Sequence, residues 1–156
     1  MRLSVRILIV IAVLLPILVI VGRYYFSAYP RPSKVGNGTM APCPNSPNCV
    51  STQATDDSQK IEPIPIQGNA AETLDSLEKA IATMPKSQVI TRTDNYLYVE
   101  FRSSLWNFVD DVEFFVNAED GVIDARSSAR VGYGDGGVNR ARYLKIARAM
   151  GVQPPS

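Results

Sequence analysis

The sequence predicts an α+β fold, with an antiparallel meander of about four strands and two helices behind an N-terminal transmembrane helix. Three observations indicate it: an apolar run opens the chain, two later segments have helical periodicity, and the stretch between them alternates apolar and polar residues. We expect residues 1–26 to form a signal anchor and residues 27–41 a tether. Residues 42–153 are expected to form one α+β domain that begins with a cysteine loop.

The anchor is predicted from Ile7–Val21, fifteen uncharged and almost wholly apolar residues that follow Arg2 and Arg6. With Tyr24–Phe26 counted as interfacial aromatic residues, the span over Ile7–Phe26 approaches the ~20 residues that a membrane helix needs. No A-x-A pattern follows, so an uncleaved anchor is favoured over a cleaved signal peptide. Residues 27–41 are rich in proline, glycine and small polar residues, which is typical of a tether.

The charge distribution excludes several classes of function. The 41 residues before Pro42 carry five basic and no acidic residues, so the remainder has 11 basic and 15 acidic residues and a charge of −4. An acidic domain is a poor partner for nucleic acid. The chain has no histidine, which removes the Ser-His-Asp and Cys-His catalytic sets and the commonest zinc sites. We therefore expect no metal and no cofactor.

The cysteine loop is "PCPNSPNCVST", Pro42 to Thr52, and Cys43 and Cys49 are the only cysteines. Two thiolates cannot complete a tetrahedral metal site, and the spacing is not the C-x-x-C of thioredoxin-like proteins. A small structural disulfide fits best, worth about 2–3 kcal/mol in the chain-entropy model. A reduced pair in a cytosolic loop is the alternative. An oxidised pair predicts a single-pass protein of the inner (cytoplasmic) membrane, with its domain on the periplasmic or extracytoplasmic side.

The elements of the domain follow in order. A helix is predicted within "GNAAETLDSLEKAIATMPK", ended by Pro85, with its apolar face at Leu74, Leu77, Ala80, Ile81 and Met84. "SQVITR" and "NYLYVEFRS" are predicted to be strands around a turn at Asp94-Asn95. The final helix, "VNRARYLKIARAM", places Tyr143, Ile146, Ala147 and Met150 on one face before Gly151 as its C-cap.

A hairpin closed by a two-residue turn at Asp120-Gly121 is predicted between the last two strands. This register places Asp111 opposite Arg130 and Glu113 opposite Ser128. Alternation assigns six residues to the core side: Val112, Phe114, Val116, Ile123, Ala125 and Ser127. The other side receives Asp111, Glu113, Phe115, Arg126, Ser128 and Arg130.

The charged residues of this hairpin have two interpretations. Residues 94–124 hold eight acids and one base, and residues 125–150 hold six bases and one acid. The simpler interpretation is structural pairing among Asp111, Glu113, Arg126 and Arg130, worth about 0.2–1 kcal/mol per pair when exposed. Alternatively, the glycine-rich turn "GYGDGG" before the last helix binds an anion with its backbone amides. The candidate anion-binding residues are Arg130, Gly132, Gly134, Gly136, Gly137, Asn139 and Arg140. Asp135 could instead cap the helix itself.

Three motifs, "CPNSPNCVST", "DDVEF" and "RSSARVGYGDGGVNRAR", resemble those of the bacterial and plastid family called domain of unknown function 1499. The resemblance covers roughly Pro42 to Gly151 and implies a domain behind a membrane or export segment. The family positions fall on Cys43, Pro44, Ser46, Pro47, Asn48, Cys49, Asp110, Asp111, Glu113, Arg126, Ser127, Arg130, Gly132, Asp135, Gly137, Asn139 and Arg140. Relatives often have serine before the arginine where this chain has Ala129-Arg130. No activity follows from the resemblance.

Three functions remain open from the sequence. The first is a non-catalytic envelope domain with a binding or structural role, anchored to the membrane by its N-terminal helix. Its partner would be an unidentified protein or an anionic small molecule. The second is a carboxylate-based enzyme using Asp110, Asp111 or Glu113, although adjacent Asp110 and Asp111 point to opposite faces of a strand and so form no acid–base dyad. The third is a thiol-disulfide role for Cys43 and Cys49.

Overall fold

The structure is a computed structural model that describes residues 2–28, 32–33, 35 and 38–152. The chain divides into two compact units, Met1–Pro30 and Arg31–Ser156. The first unit consists of helix α1, Arg2–Ala28, which contains Pro16.

The predicted transmembrane helix over Ile7–Phe26 is not supported. Within the described residues, no helix is both long enough and apolar enough to cross a membrane. The uninterrupted apolar run, Ile7–Val21, has fifteen residues and falls short of the ~20 that a span requires. The side chains of Tyr24–Phe26, which were expected to complete it, lie outside the described part of the chain.

The second unit is built on a six-stranded antiparallel sheet, so the prediction of about four strands is wrong. The strands are β1 (Cys49–Ser51), β2 (Ile64–Pro65), β3 (Ser87–Arg92), β4 (Tyr96–Arg102), β5 (Val109–Asn117) and β6 (Val122–Ala129). Their order is β1-β6-β5-β4-β3, and β2 also pairs with β6. The two strands missing from the prediction are three and two residues long, so they carry no alternating pattern and are defined only by their pairing with β6.

Two helices complete this unit, so the described residues form three helices with α1 included. Helix α2 (Ala70–Ala82) begins at a capping box in which Asn69 and Glu72 bond each other's backbone amides. Helix α3 (Val138–Ala149) begins after Gly137, whose φ of 80° is in the left-handed region. Both contact the sheet on one side and share its core, which includes Leu74, Leu77, Ile81, Val99, Phe114, Ile123, Tyr143 and Ile146.

The hairpin register differs from the prediction by two residues. Asn117 pairs with Val122, so the loop has the four residues 118–121 instead of a two-residue turn. The Asn117 side chain holds this longer loop, because it donates to Asp120 Oδ2 at 2.7 Å and accepts from the Asp120 amide at 3.2 Å. Glu113 consequently lies opposite Arg126, and Asp111 opposite Ser128. A shift of two residues leaves every side chain on its predicted face.

The sheet face away from the helices is polar, and residues of the expected tether lie against it. Ser33 is buried and donates to Glu113 from its amide and its hydroxyl. A Cβ on Gly38 would lie 3.1 Å from the Phe115 ring, so the backbone there is close to the same face. These residues belong to the second compact unit. Of the expected tether, residues 29–31, 34 and 36–37 lie outside the described ranges.

Candidate functional site

The polar face of the sheet holds one ion pair between directly opposite residues, Glu113 on β5 and Arg126 on β6. Arg126 Nη1 lies 3.3 Å from Glu113 Oε2, and their side chains are 10% and 0% exposed. Glu113 Oε1 also accepts from the Tyr96 hydroxyl at 2.6 Å. Burial and this hydrogen bond raise the pKa of Tyr96 far above its ordinary value, so the phenol remains a donor. The buried Arg126 Nε has no hydrogen-bond partner among the described residues.

A second ionic cluster on the same face is centred on Arg130. Its Nε lies 3.0 Å from both Asp111 carboxylate oxygens, and its Nη2 lies 2.6 Å from Asp111 Oδ1 and also bonds Glu100. The Tyr98 hydroxyl accepts from Arg130 at 2.9 Å and donates to Asp111 at 2.5 Å. Burial alone would lower the pKa of Arg130, but its hydrogen bonds to Asp111 and Glu100 outweigh that effect and raise it. Arg130 is therefore a permanent buried cation.

These ion pairs are buried, so the energies measured for exposed surface ion pairs do not apply to them. The side chains of Arg130 and Asp111 are 0% and 3% exposed. Arg130 reaches Asp111 diagonally across the strands, since the residue directly opposite Asp111 is Ser128. Because the charges are desolvated, removal of one partner leaves an uncompensated ion in the interior.

Asp110 lies on the other face of β5, beside the helices. Arg142 on α3 donates to Asp110 Oδ2 at 2.5 Å and to Asn139 Oδ1 at 2.7 Å, and its guanidinium carbon lies 4.7 Å from the Phe101 ring centroid. Burial raises the pKa of Asp110, while the Arg142 charge and hydrogen bond oppose the rise. Asp110 and Asp111 therefore serve separate ion pairs on opposite faces.

The residues predicted to bind an anion are not brought together in the structure. Arg130 is directed into the polar face, whereas Arg140 donates to the Ser58 carbonyl at 2.8 Å. Asp135 accepts from the amides of Gly137 at 2.9 Å and Asn139 at 2.8 Å at the start of α3. A carboxylate of the chain itself therefore occupies the amides that an external anion would use. The remaining members of the set, Gly132, Gly134 and Gly136, lie in the exposed loop before α3.

The cysteine loop packs against this glycine-rich loop. Cys43 and Cys49 form a disulfide with a Cα–Cα distance of 5.6 Å, as predicted. The Asn48 side chain donates to the Gly132 carbonyl at 2.7 Å, and Asn139 donates back to the Asn48 carbonyl at 3.1 Å. The disulfide therefore positions a loop that connects β1, the end of β6 and α3.

One exposed feature of the domain was missed by the sequence interpretation: the loop of residues 103–108 between β4 and β5. Leu105 and Trp106 at its tip are 79% and 70% exposed. The Ser103 amide bonds the Phe108 carbonyl, and the Phe108 amide bonds Ser103 Oγ, each at 2.9 Å. The only tryptophan of the chain, in a short connection between two strands, was the available sequence signal.

The side chain of Lys86, the residue before β3, is hydrogen-bonded to this loop. Its ammonium donates to the carbonyls of Ser103 at 3.3 Å and Ser104 at 3.0 Å, and to Asn107 Oδ1 at 3.4 Å. In the described part of the chain, Lys86 and Asn107 are the non-glycine residues with positive φ, at 57° and 51°. These two residues with strained backbones therefore contact each other through their side chains and hold the 103–108 loop.

Ser33, Tyr96, Tyr98 and Glu100 were also absent from the predicted site. The alternation of β4 placed Tyr98 and Glu100 on the polar side, but only the pairing of β4 with β5 brings them to Asp111. No local pattern marks Ser33. Among the described residues, no group of three or more Cys, Asp or Glu side chains could hold a metal ion.

Comparison with known proteins identifies the domain but assigns it no activity. The model of the family described as "Protein of unknown function (DUF1499)" matches residues 39–150. No curated protein matches the sequence. The match covers more than half of the chain and includes the disulfide, both ionic clusters and the 103–108 loop. The chain therefore belongs to the DUF1499 family of proteins of unknown function.

Proposed function

We propose that this domain is a non-catalytic recognition module that binds a protein partner through its 103–108 loop. The observation that carries the proposal is the rigid presentation of two large apolar side chains, Leu105 and Trp106, at an exposed tip. A positive φ in a residue other than glycine costs on the order of 1 kcal/mol and is kept where the surroundings impose it. Lys86 and Asn107 both have this conformation, and both serve to hold the loop.

The rigidity of the loop favours binding. A loop that is already ordered loses less conformational entropy when it meets a partner. The backbone bond between Ser103 and Phe108 and the three hydrogen bonds of Lys86 fix the loop before any partner arrives. Tryptophan is enriched among the residues that dominate interface energies, so Trp106 would be the anchor.

The state of the carboxylates disfavours the alternative of a carboxylate-based enzyme. Asp110, Asp111 and Glu113 each bond an arginine, and all three lie largely within the protein. A general acid or base must come within hydrogen-bond reach of the substrate. In the structure, arginines occupy all three carboxylates and Ser33 also occupies Glu113, which supports a binding role over catalysis.

The charge of the domain favours a protein over a membrane or a nucleic acid as the partner. Residues 42–156 carry a formal charge of −4, which disfavours contact with anionic lipid or a phosphate backbone. The Cys43–Cys49 disulfide supports a location outside the cytoplasm, where thiols are oxidised. We therefore propose that the partner is extracytoplasmic.

Site-specific photo-crosslinking in the native cell tests this function. A benzoylphenylalanine at position 105 of the full chain should give a discrete protein adduct. The same probe at Glu119, an exposed position at the opposite end of β5, is the matched control and should give none. Trp106→Ser should abolish the adduct from position 105, because it removes the anchor while leaving the fold intact.

Three results would contradict the proposal. Equal adducts from positions 105 and 119, or an adduct that is insensitive to Trp106→Ser, would show that the loop is not the interface. A blue shift of the emission of Trp106 on addition of lipid vesicles would assign the loop to a membrane surface. Because the chain has one tryptophan, this emission reports on the loop alone.

A further inference from the structure

The Glu113 carboxylate accepts hydrogen bonds at both of its oxygens from one serine of its own chain. The Ser33 amide donates to Glu113 Oε1 at 2.5 Å, and the Ser33 hydroxyl donates to Oε2 at 2.9 Å. Tyr96 and Arg126 complete the surroundings of the carboxylate. We call Tyr96, Glu113 and Arg126 the Glu113 site. Both of its carboxylate oxygens are engaged by a single residue that lies 80 positions away in sequence.

Ser33 and the described residues that follow it, up to Ala41, are held by hydrogen bonds. Ser33 Oγ accepts from the Ala41 amide at 2.9 Å, which joins the two ends of the segment. Gln53 holds the middle of it, donating to the Gly38 carbonyl at 2.8 Å and accepting from the Met40 amide at 2.9 Å. These contacts are hydrogen bonds, so the segment can leave without covalent change.

Ser33 fills only part of the Glu113 site. Arg126 is 8% exposed, and its buried Nε has no hydrogen-bond partner among the described residues. A buried donor without an acceptor destabilises a fold, and native proteins rarely keep one without reason. Ser33 therefore donates to both oxygens of the Glu113 site but provides no acceptor for Arg126 Nε.

The family match includes the residues of the Glu113 site but not Ser33, which bonds to them. The match to residues 39–150 includes Tyr96, Glu113 and Arg126 but begins after Ser33. The carboxylate, the phenol and the guanidinium thus lie in the matched domain, while the serine that occupies them precedes it.

We propose that the Glu113 site binds an extended peptide containing serine or threonine, and that Ser33 occupies the site in cis as a competitor. The amide and hydroxyl of the bound residue donate to the two Glu113 oxygens, as those of Ser33 do. A carbonyl of the ligand accepts from Arg126 Nε, which satisfies the donor that Ser33 leaves open. This peptide site lies on the sheet face and is distinct from the 103–108 loop.

An intramolecular occupant reduces the apparent affinity for an external peptide to the intrinsic affinity multiplied by the fraction of molecules in which the site is open. If the segment is open in about a tenth of the molecules, wild-type protein binds the external peptide about tenfold more weakly than a permanently open variant. Ser33→Pro is such a variant, since it removes both the amide hydrogen and the hydroxyl.

The test is fluorescence anisotropy with a labelled peptide of sequence RPSKVGNGTMA, which is that of residues 31–41. Full-length Ser33→Pro should bind it at least tenfold more tightly than wild type. The same peptide with alanine in place of its serine should lose the binding. Ser33→Pro/Glu113→Gln should also lose it, whereas Ser33→Pro/Glu119→Gln, which changes an exposed glutamate, should retain it.

Thermal melts of each variant establish that it is folded. If Glu113→Gln does not fold, Ser33→Pro/Tyr96→Phe replaces it, since Tyr96→Phe removes one hydrogen bond to Glu113 and keeps the ring. This variant should bind the peptide severalfold more weakly. Equal affinity of wild type and Ser33→Pro, equal affinity for the serine and alanine peptides, or undiminished binding by the folded site variant would each overturn the proposal.

Discussion

Replacement of Arg130 by methionine should destabilise the domain far more than the loss of a surface ion pair would. The arginine side chain is fully buried and bonds Asp111, Glu100 and the Tyr98 hydroxyl. Arg130→Met leaves the Asp111 carboxylate buried without a cation, while Glu100 retains Arg102 at 2.9 Å. Removing one partner of a buried ion pair costs about 3–5 kcal/mol. For a domain of this size the melting temperature should fall by roughly 10–20 °C.

A double-mutant cycle with Asp111→Asn separates pairing from packing. Each single variant strands a buried charge, whereas the double variant removes both charges, so the two losses should couple by about 0.5–3 kcal/mol. Arg148→Met is the matched control, because Arg148 is exposed on α3, and its effect should stay within about 0.5 kcal/mol. Urea denaturation of the full chain, followed by far-ultraviolet circular dichroism, measures the free energy of unfolding of wild type, the two single variants, the double variant and the control. A loss below about 1 kcal/mol for Arg130→Met, or strictly additive losses, would refute the reasoning, since those are properties of a solvated pair.

Three further predictions concern the disulfide, the α3 cap and the pH dependence of stability. Cys43→Ser/Cys49→Ser should lose about 2 kcal/mol of unfolding free energy, and thiol labelling of unreduced wild type should find no free thiol; full labelling would contradict the disulfide. Asp135→Ala should lose about 1 kcal/mol, because two α3 amides lose their acceptor, and an unchanged melting temperature would exclude this capping role. Burial raises the pKa of Asp110 in the folded state, so its contribution to stability is present below the ordinary pKa of about 3.9 and is lost as pH rises through the folded value. The stability of wild type relative to Asp110→Asn should therefore fall as pH rises above about 4, and an opposite trend in urea denaturation would contradict the raised pKa.

The two ionic clusters explain why the charge blocks of the sequence are adjacent. The acid-rich strand β5 is a neighbour of β6 in the sheet, and β6 carries Arg126 and is directly followed by Arg130. Glu113 therefore meets Arg126, and Asp111 meets Arg130. Such buried pairs are sensitive to the loss of one partner although their net contribution to stability is small. Their consequence here is that a carboxylate and a guanidinium remain on a covered sheet face, which is where Ser33 binds.

The sequence by itself determined the features that depend on neighbouring residues. Alternation with period two assigned the six core-side residues and the six residues of the other side to their correct faces, and helical periodicity located α2 and α3. The spacing of Cys43 and Cys49 predicted the disulfide. The hairpin register was wrong because a shift of two residues changes every partner but no face, so alternation cannot detect it.

The tertiary structure alone decided which polar residues are buried and which apolar residues are exposed. Strands β1 and β2 exist only through pairing with β6, and Glu113 is bonded by Ser33, which lies 80 positions away in the chain. Leu105 and Trp106 are exposed at the tip of a loop that the contact between Lys86 and Asn107 holds. Each of these outcomes depends on contacts between residues that are distant in the chain, and a local pattern carries no information about such contacts.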